Sequence, residues 1–171
     1  MKYLIFSDSH GASVLTRRIL GEQQADTDGV IFLGDGLREF RKTAAEFPKL
    51  DVHAVAGNCD FDVSLADQKA FEQFFELEGF RIMITHGHRH FVKMGTDYIA
   101  DYARQKGADV VLFGHTHQRL ETWLPPVKDG EKGLYLFNPG SITLPKDDRL
   151  SYGVLTIRNG QILLSHGILG E

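Results

Sequence analysis

Five polar clusters in this sequence pair glycine with residues able to hold a metal ion: Asp8-Ser9-His10, Gly34-Asp35, Gly57-Asn58, His86-Gly87 and Gly114-His115-Thr116-His117. Pooled, they offer two carboxylates, one amide oxygen and four imidazoles. That mixed oxygen and nitrogen set suits borderline divalent ions such as Mn²⁺, Fe²⁺, Co²⁺ or Zn²⁺. A thiolate-rich structural zinc site is excluded, because Cys59 is the only cysteine. Taken singly, each residue has an ordinary structural use. Asp8 can satisfy a turn or cap a following helix, and His115 and His117 can be one exposed and one core histidine of a strand. Taken together, they would bury many unpaired polar groups near one edge, which is costly unless something binds them.

The elements that must position these clusters read as alternating strand and helix, then mostly strand. Tyr3 to Phe6 is a short apolar run ending at Asp8, and Ser13 to Gln23 follows with Val14, Leu15, Ile19 and Leu20 at helical spacing. Val30 to Leu33 runs into Gly34-Asp35, and Leu37 to Phe47 carries Leu37, Phe40, Ala44 and Phe47 three and four apart before Pro48 stops the helix. A third strand, Val52 to Ala56, ends at Gly57-Asn58-Cys59-Asp60. Phe74 to Glu78 and Arg81 to Thr85 flank Gly79 as a hairpin whose second strand delivers His86-Gly87-His88. Thr96 to Lys106 reads as a helix closed by Gly107, and Asp109 to Phe113 as a strand leading into Gly114-His115-Thr116-His117. Arg119 to Leu124, Gly133 to Phe137, Gly153 to Ile157 and Gln161 to His166 complete a β-rich second half, with Asn159-Gly160 as a type I′ turn signal. The sum is two sheets with helices outside. In open α/β sheets the crevice beyond the carboxyl ends of parallel strands binds ligands, so residues far apart in sequence can meet there.

Length and composition bound the alternatives. A chain of 171 residues predicts one domain spanning 1–171, large enough for a core without disulfides. A net charge of −4 argues against a protein that coats nucleic acid and mildly disfavours long polyanionic substrates. No stretch approaches the roughly 18 apolar residues of a membrane helix, so no membrane partner is expected. Asp8 interrupts what would be the apolar region of an export signal, and a single cysteine suits a reducing cytoplasm.

The five clusters, in this order and trailed by Asn138-Pro139-Gly140-Ser141, resemble the motifs of the calcineurin-like metallophosphoesterase superfamily, and specifically its small phosphodiesterase branch of the YfcE type. Each motif alone is weak, and five in order over almost the whole chain are specific. The resemblance implies an αββα sandwich, an α/β fold of two sheets flanked by helices, with a two-metal centre at one edge. It puts Asp8, His10 and His117 on one ion and Asn58, His86 and His115 on the other, with Asp35 bridging both. It also implies a metal-dependent phosphodiesterase in which a bridging hydroxide attacks phosphorus in line, with Mn²⁺ leading Fe²⁺, Ni²⁺, Co²⁺ and Zn²⁺ as the resident ions. Paired metals about 3.5–4 Å apart do this chemistry elsewhere. A small phosphodiester is the implied substrate, nucleic acid is not required, and small members of the family often form homo-oligomers.

Asp35, Asn58 and His88 are the expected catalytic residues. The third motif carries Cys59 where larger relatives have histidine, and an ordinary thiol with pKa about 8.5 is a poor proton donor near neutrality. His88 is then a candidate substitute. His53 and His166 read as structural, Arg38 and Arg41 as a solvated helix face, and Phe71, Phe74, Phe75 and Leu77 as a core hairpin or a dimer patch. Asn138 and Ser141 read as support for the loops that carry the ligands. Two rival readings remain: a phosphomonoesterase, and a non-enzymatic scaffold like a retromer subunit that shares this fold with an incomplete metal site.

Overall fold

The structure, a computed structural model, describes residues 1–170. Its first sheet contains β1 (Lys2–Phe6), β2 (Gly29–Phe32), β3 (Asp51–Ala54), β9 (Ser151–Arg158) and β10 (Gln161–Ile168), in the order β10-β9-β1-β2-β3. The second contains β4 (Glu72–Leu77), β5 (Phe80–Thr85), β6 (Val110–Phe113), β7 (Arg119–Leu124) and β8 (Leu134–Pro139), in the order β4-β5-β6-β8-β7. The strands that carry the polar clusters run parallel within each sheet: β1 with β2, β2 with β3, and β5 with β6.

Alternation along each strand divides the apolar residues between two faces. Tyr3 and Ile5 of β1 point between the sheets, where they meet Ile82, Ile84, Val110 and Leu112. Leu4 and Phe6 point outward and pack under Ile19 and Leu20 of α1 (Val14–Gln23) and Leu37 and Phe40 of α2 (Leu37–Ala44). On the far side Met83, Val111 and Phe113 are covered by Ile99, Ala100 and Ala103 of α4 (Asp97–Gln105). Burial on both faces is why these strands read as continuous apolar runs. The result is the αββα sandwich expected from the sequence, and none of its helices is long and apolar enough to cross a membrane.

Three local differences have physical causes. Helix α2 ends at Ala44, not Phe47, because Glu46 and Phe47 donate to the carbonyls three residues back and tighten the chain ahead of Pro48. Phe47 nevertheless stays in the apolar cluster. The single-turn helix α3 (Gln68–Phe71) is too short to show a period. The Phe-rich segment packs on the core: Phe71 at the end of α3 and Leu77 of the hairpin are buried, and Phe74 and Phe75 lie half-buried against the apolar clusters. Both hairpin turns fit their sequences, with Glu78-Gly79 at φ 50° and 83° and Asn159-Gly160 at 53° and 70°.

Candidate metal centre

Each polar cluster leaves the carboxyl end of its strand by a sharp turn, and the turns stack against one another. Asp8 N–H donates to Gly34 O, His10 N–H to Asp35 O, and Gly114 N–H to His86 O. Strain is concentrated on the candidate ligands themselves: Asp8, His10, Asp35, His115 and His117 all have left-handed backbones, with φ between 45° and 68°. Non-glycine residues pay roughly 1 kcal/mol or more for this conformation, and such strain gathers at functional sites. The glycines supply close approach. A Cβ on Gly57 would strike the Asp35 carboxylate, and one on Gly114 would strike Ser7 Oγ. Gly57→Ala is therefore expected to weaken divalent-ion binding at least 30-fold by calorimetry, because the Asp35 carboxylate must move.

Hydrogen bonds to backbone carbonyls fix the histidine tautomers. His86 Nδ1–H donates to Leu33 O at 2.7 Å, and His117 Nδ1–H donates to Leu144 O at 2.6 Å. A carbonyl can only accept, so the inward Nε2 of a neutral ring presents a lone pair. His117 Nε2 faces Asp8 Oδ1 at 3.1 Å and His10 Nε2 at 3.4 Å. His86 Nε2 faces Asn58 Oδ1 at 3.2 Å, His115 Nδ1 at 3.2 Å and Asp35 Oδ2 at 3.5 Å. Asp8 Oδ2 accepts from Ser7 Oγ and His115 N–H, whereas its Oδ1, fully buried, has no hydrogen-bond donor. The two fixed imidazole lone pairs thus point at buried carboxylate and amide oxygens, an arrangement that a cation relieves. The donor set fits divalent ions.

All seven predicted ligands meet here. Ligand atoms of Asp8, His10 and His117 lie within 4.8 Å of one another, as do those of Asp8, Asp35 and His86. Cys59, for which the sequence suggested no ligand role, forms a third such group with His10 and Asp35. The His88 ring lies 5.4 Å from that of His86 and 6.0 Å from that of His115, beside the cluster.

Electrostatics sorts these groups. Burial works to raise the Asp35 pKa, but without an ion a proton taken up on His86 Nε2, together with the hydrogen bond from Cys59 N–H, holds the carboxyl well below the usual range. His86 is pulled the other way: burial opposes its charging, yet Asp35 and Asp8 raise its pKa. Burial and the neighbouring charge of His86 push both His88 and His115 down to about 4, so these rings are neutral at pH 7. His88 therefore brings no positive charge to a leaving group. Burial and the Asp35 carboxylate push the Cys59 thiol up to about 11, well away from an efficient proton donor at neutrality. Replacing Cys59 with alanine is expected to leave phosphoester turnover within about threefold at unchanged metal content, and a larger loss would give the thiol an active part.

Other residues occupy supporting places. Asn138 Nδ2 donates to Gly114 O and Thr116 Oγ1, and Ser141 Oγ donates to Asp8 O, which holds the ligand loops as expected. His53 stacks on Phe75 and bonds to Asp51, while His166 stacks on Phe137 and bonds to Asn138 O. Both are structural. Arg41 is exposed on α2, and Arg38 lines a groove of ≈ 390 Å³ beside His10 and Asp35. Sequence reasoning missed Asp60. Its buried carboxylate accepts backbone N–H bonds from Asp35, Gly36, Leu37 and Gly57, tying the second motif to the third. The signal was available: α2 begins Gly36-Leu37 without a capping side chain, so its first N–H groups needed an acceptor from elsewhere.

Known proteins resemble this chain in sequence and fold. A probable metallophosphoesterase, YsnB of Bacillus subtilis, is 36% identical over 93% of this chain and 86% of its own length. Phosphodiesterase YfcE of Escherichia coli is 31% identical over 91% of this chain and 87% of its own, and its solved structure superposes with a TM-score of 0.63 over 99% of this chain and 100% of that one. Vps29 of Entamoeba histolytica, solved with Zn²⁺, shares the fold at a TM-score of 0.70 and 19% identity, over 98% of this chain and 99% of that one. Residues 1–160 match the calcineurin-like phosphoesterase superfamily domain, and the chain belongs to that superfamily.

Proposed function

We propose that this chain is a metal-dependent phosphodiesterase that holds two divalent ions, manganese first among them. The observation that carries the proposal is the convergence of carboxylate, amide and imidazole ligand atoms, with the orphaned Asp8 Oδ1 among them. In this reading Asp8, His10 and His117 hold one ion, Asn58, His86 and His115 the other, and Asp35 bridges them. When bound, such a pair polarises phosphoryl oxygens and supplies a nucleophile from water at neutral pH.

The chain's own residues do the rest. Leu33 O and Leu144 O aim the His86 and His117 lone pairs, so the rings need no reorientation on binding. Asp35 stays ionised at any working pH because its pKa is depressed. Asn58 contributes an amide oxygen without adding charge. Its Nδ2 leans on Cys59 Sγ at 3.3 Å, which turns its Oδ1 toward His86. His88, as a neutral ring beside the cluster, steadies a phosphoryl oxygen or the departing alkoxide by hydrogen bonding. The diester preference draws support from the groove beside His10 and Asp35, which gives the second ester substituent room, and from the name of the Escherichia coli relative. A reducing cytoplasm is the compartment that suits an unpaired cysteine.

The test is hydrolysis of bis(p-nitrophenyl) phosphate by chelator-stripped protein titrated with Mn²⁺, with Asp35→Asn beside it. Turnover that Mn²⁺ restores and the substitution removes supports the reading. Cleavage of p-nitrophenyl phosphate in preference to the diester would favour the monoesterase instead. Stoichiometric binding of Mn²⁺, Co²⁺, Ni²⁺ or Zn²⁺ without turnover on either ester would favour the scaffold. Binding itself has a thermal signature: an ion held at 100 times its Kd stabilises the fold by about 2.7 kcal/mol. At roughly 2–4 °C per kcal/mol for this size, Mn²⁺ should raise Tm by about 5–10 °C and excess chelator should reverse it.

A further inference from the structure

We propose that the groove beside His10 and Asp35 is the subsite for the organic substituent of the phosphate ester, and that it selects a flat, uncharged aromatic group against a second anionic one. The inference rests on the phosphoesterase reading above. The groove, of ≈ 390 Å³, is lined by His10 and Asp35 of the ligand cluster and by Arg38, Glu39, Phe61 and Asp62. Phe61 is 89% exposed. Its backbone is nonetheless pinned, because the preceding residue, Asp60, accepts four backbone N–H bonds from Gly57 and the start of α2. An aromatic ring held in water on a fixed backbone beside an anion-binding centre is a ready stacking platform. Gly11, also on the groove, faces open space: a Cβ there would meet only a Glu39 carboxylate oxygen at 3.9 Å. The charges set the second half of the preference. Beyond the metal ligands Arg38 supplies one cation and Glu39, Asp60 and Asp62 three anions, and even with Asp60 turned to four backbone N–H groups the groove is net negative and repels a substituent that carries its own carboxylate or phosphate. That places small aromatic diesters ahead of polyanions as substrates.

Non-hydrolysable phosphonates, whose methylene stands in for the ester oxygen, test this without relying on turnover. Mn²⁺-loaded full-length protein is titrated calorimetrically with ethylphosphonate, benzylphosphonate and 4-carboxybenzylphosphonate. Benzylphosphonate should bind about tenfold tighter than ethylphosphonate, the scale of one stacked ring. Phe61→Ala should bring the two within twofold while leaving ethylphosphonate unchanged, and Phe61→Tyr should keep the preference. The carboxylated ring should bind about threefold or more weaker than the plain one, and Glu39→Gln with Asp62→Asn should erase that penalty. Equal affinity for the ethyl and benzyl compounds, or a benzyl preference that survives Phe61→Ala, overturns the subsite and leaves the phosphoesterase reading standing. A carboxylate penalty that survives the double substitution overturns the charge selection. Failure of every phosphonate to bind Mn²⁺-loaded protein overturns both readings.

Discussion

Asp35→Asn is expected to lower kcat/KM for a phosphodiester by about three orders of magnitude at saturating Mn²⁺. Asparagine keeps the shape of the side chain and removes the charge. One Asp35 oxygen, Oδ2, is 3.5 Å from His86 Nε2 and 4.0 Å from His10 Nε2, so it stands between the two proposed ligand groups. The other, Oδ1, accepts the Cys59 N–H at 2.8 Å, which fixes the carboxylate plane. In the proposed bridging place a single carboxylate would neutralise part of two cations, which a neutral amide cannot do. Loss of about 4 kcal/mol of charge stabilisation at the reacting phosphoryl group corresponds to about 10³-fold in rate. Metal content provides the second readout, and the variant should retain fewer ions per chain than the parent after gel filtration. In the metal-free state the fold holds the Asp35 pKa down and so favours its charge, and the substitution should lower the apo Tm at pH 7 by a few degrees. A variant that kept its metal content and lost less than tenfold in kcat/KM would remove Asp35 from its bridging place.

Much of this site was legible in the sequence because chemistry punctuates the apolar pattern. Strands β1, β2, β5 and β6 are short runs of mostly buried residues, β3 is a more exposed edge strand, and the end of each is marked by glycine beside Asp, Asn or His, so strand ends and candidate ligands were read from the same letters. Where those letters meet in space depends on the sheet order, for which the sequence offered only two sheets with helices outside, the αββα sandwich coming from the family resemblance. Three features left little trace. The left-handed backbone falls on Asp8, His10, Asp35, His115 and His117 themselves, whereas the sequence pointed to the glycines as the flexible sites. Local preference for these conformations is weak, and tertiary contacts impose them. The histidine tautomers are set by carbonyls of Leu33 and Leu144, and any residue type supplies a carbonyl. The Cys59 thiol reads as an ordinary one until the fold sets it against Asp35 and burial and that carboxylate move its pKa.

Asp60→Asn tests whether the support is as necessary as the ligands. The Asp60 carboxylate takes N–H bonds from Gly57 at 2.7 Å and from Asp35, Gly36 and Leu37 at 2.9 Å each. Two oxygens thus satisfy four donors, including groups at the start of α2 that have no partner within the helix. Asparagine must turn an NH₂ toward N–H groups whichever way it flips, so two of the four bonds are replaced by donor against donor. Hydrogen bonds to a charged group are worth about 1.5–3 kcal/mol each, and solvent entry recovers part of the loss. A net cost of about 3 kcal/mol follows, or a fall in Tm of about 6–12 °C for a chain of this size. Because Asp35 N–H is one of the donors, the damage also reaches the centre, and Mn²⁺ affinity should drop by about 10–100-fold as for other residues that orient ligands. Both losses should appear in one variant that still folds, since the apolar clusters on either side of the first sheet are untouched. A fall in Tm with unchanged Mn²⁺ affinity would make Asp60 a fold residue alone, and loss of affinity at constant Tm would mean that the loop relaxes without cost to the core.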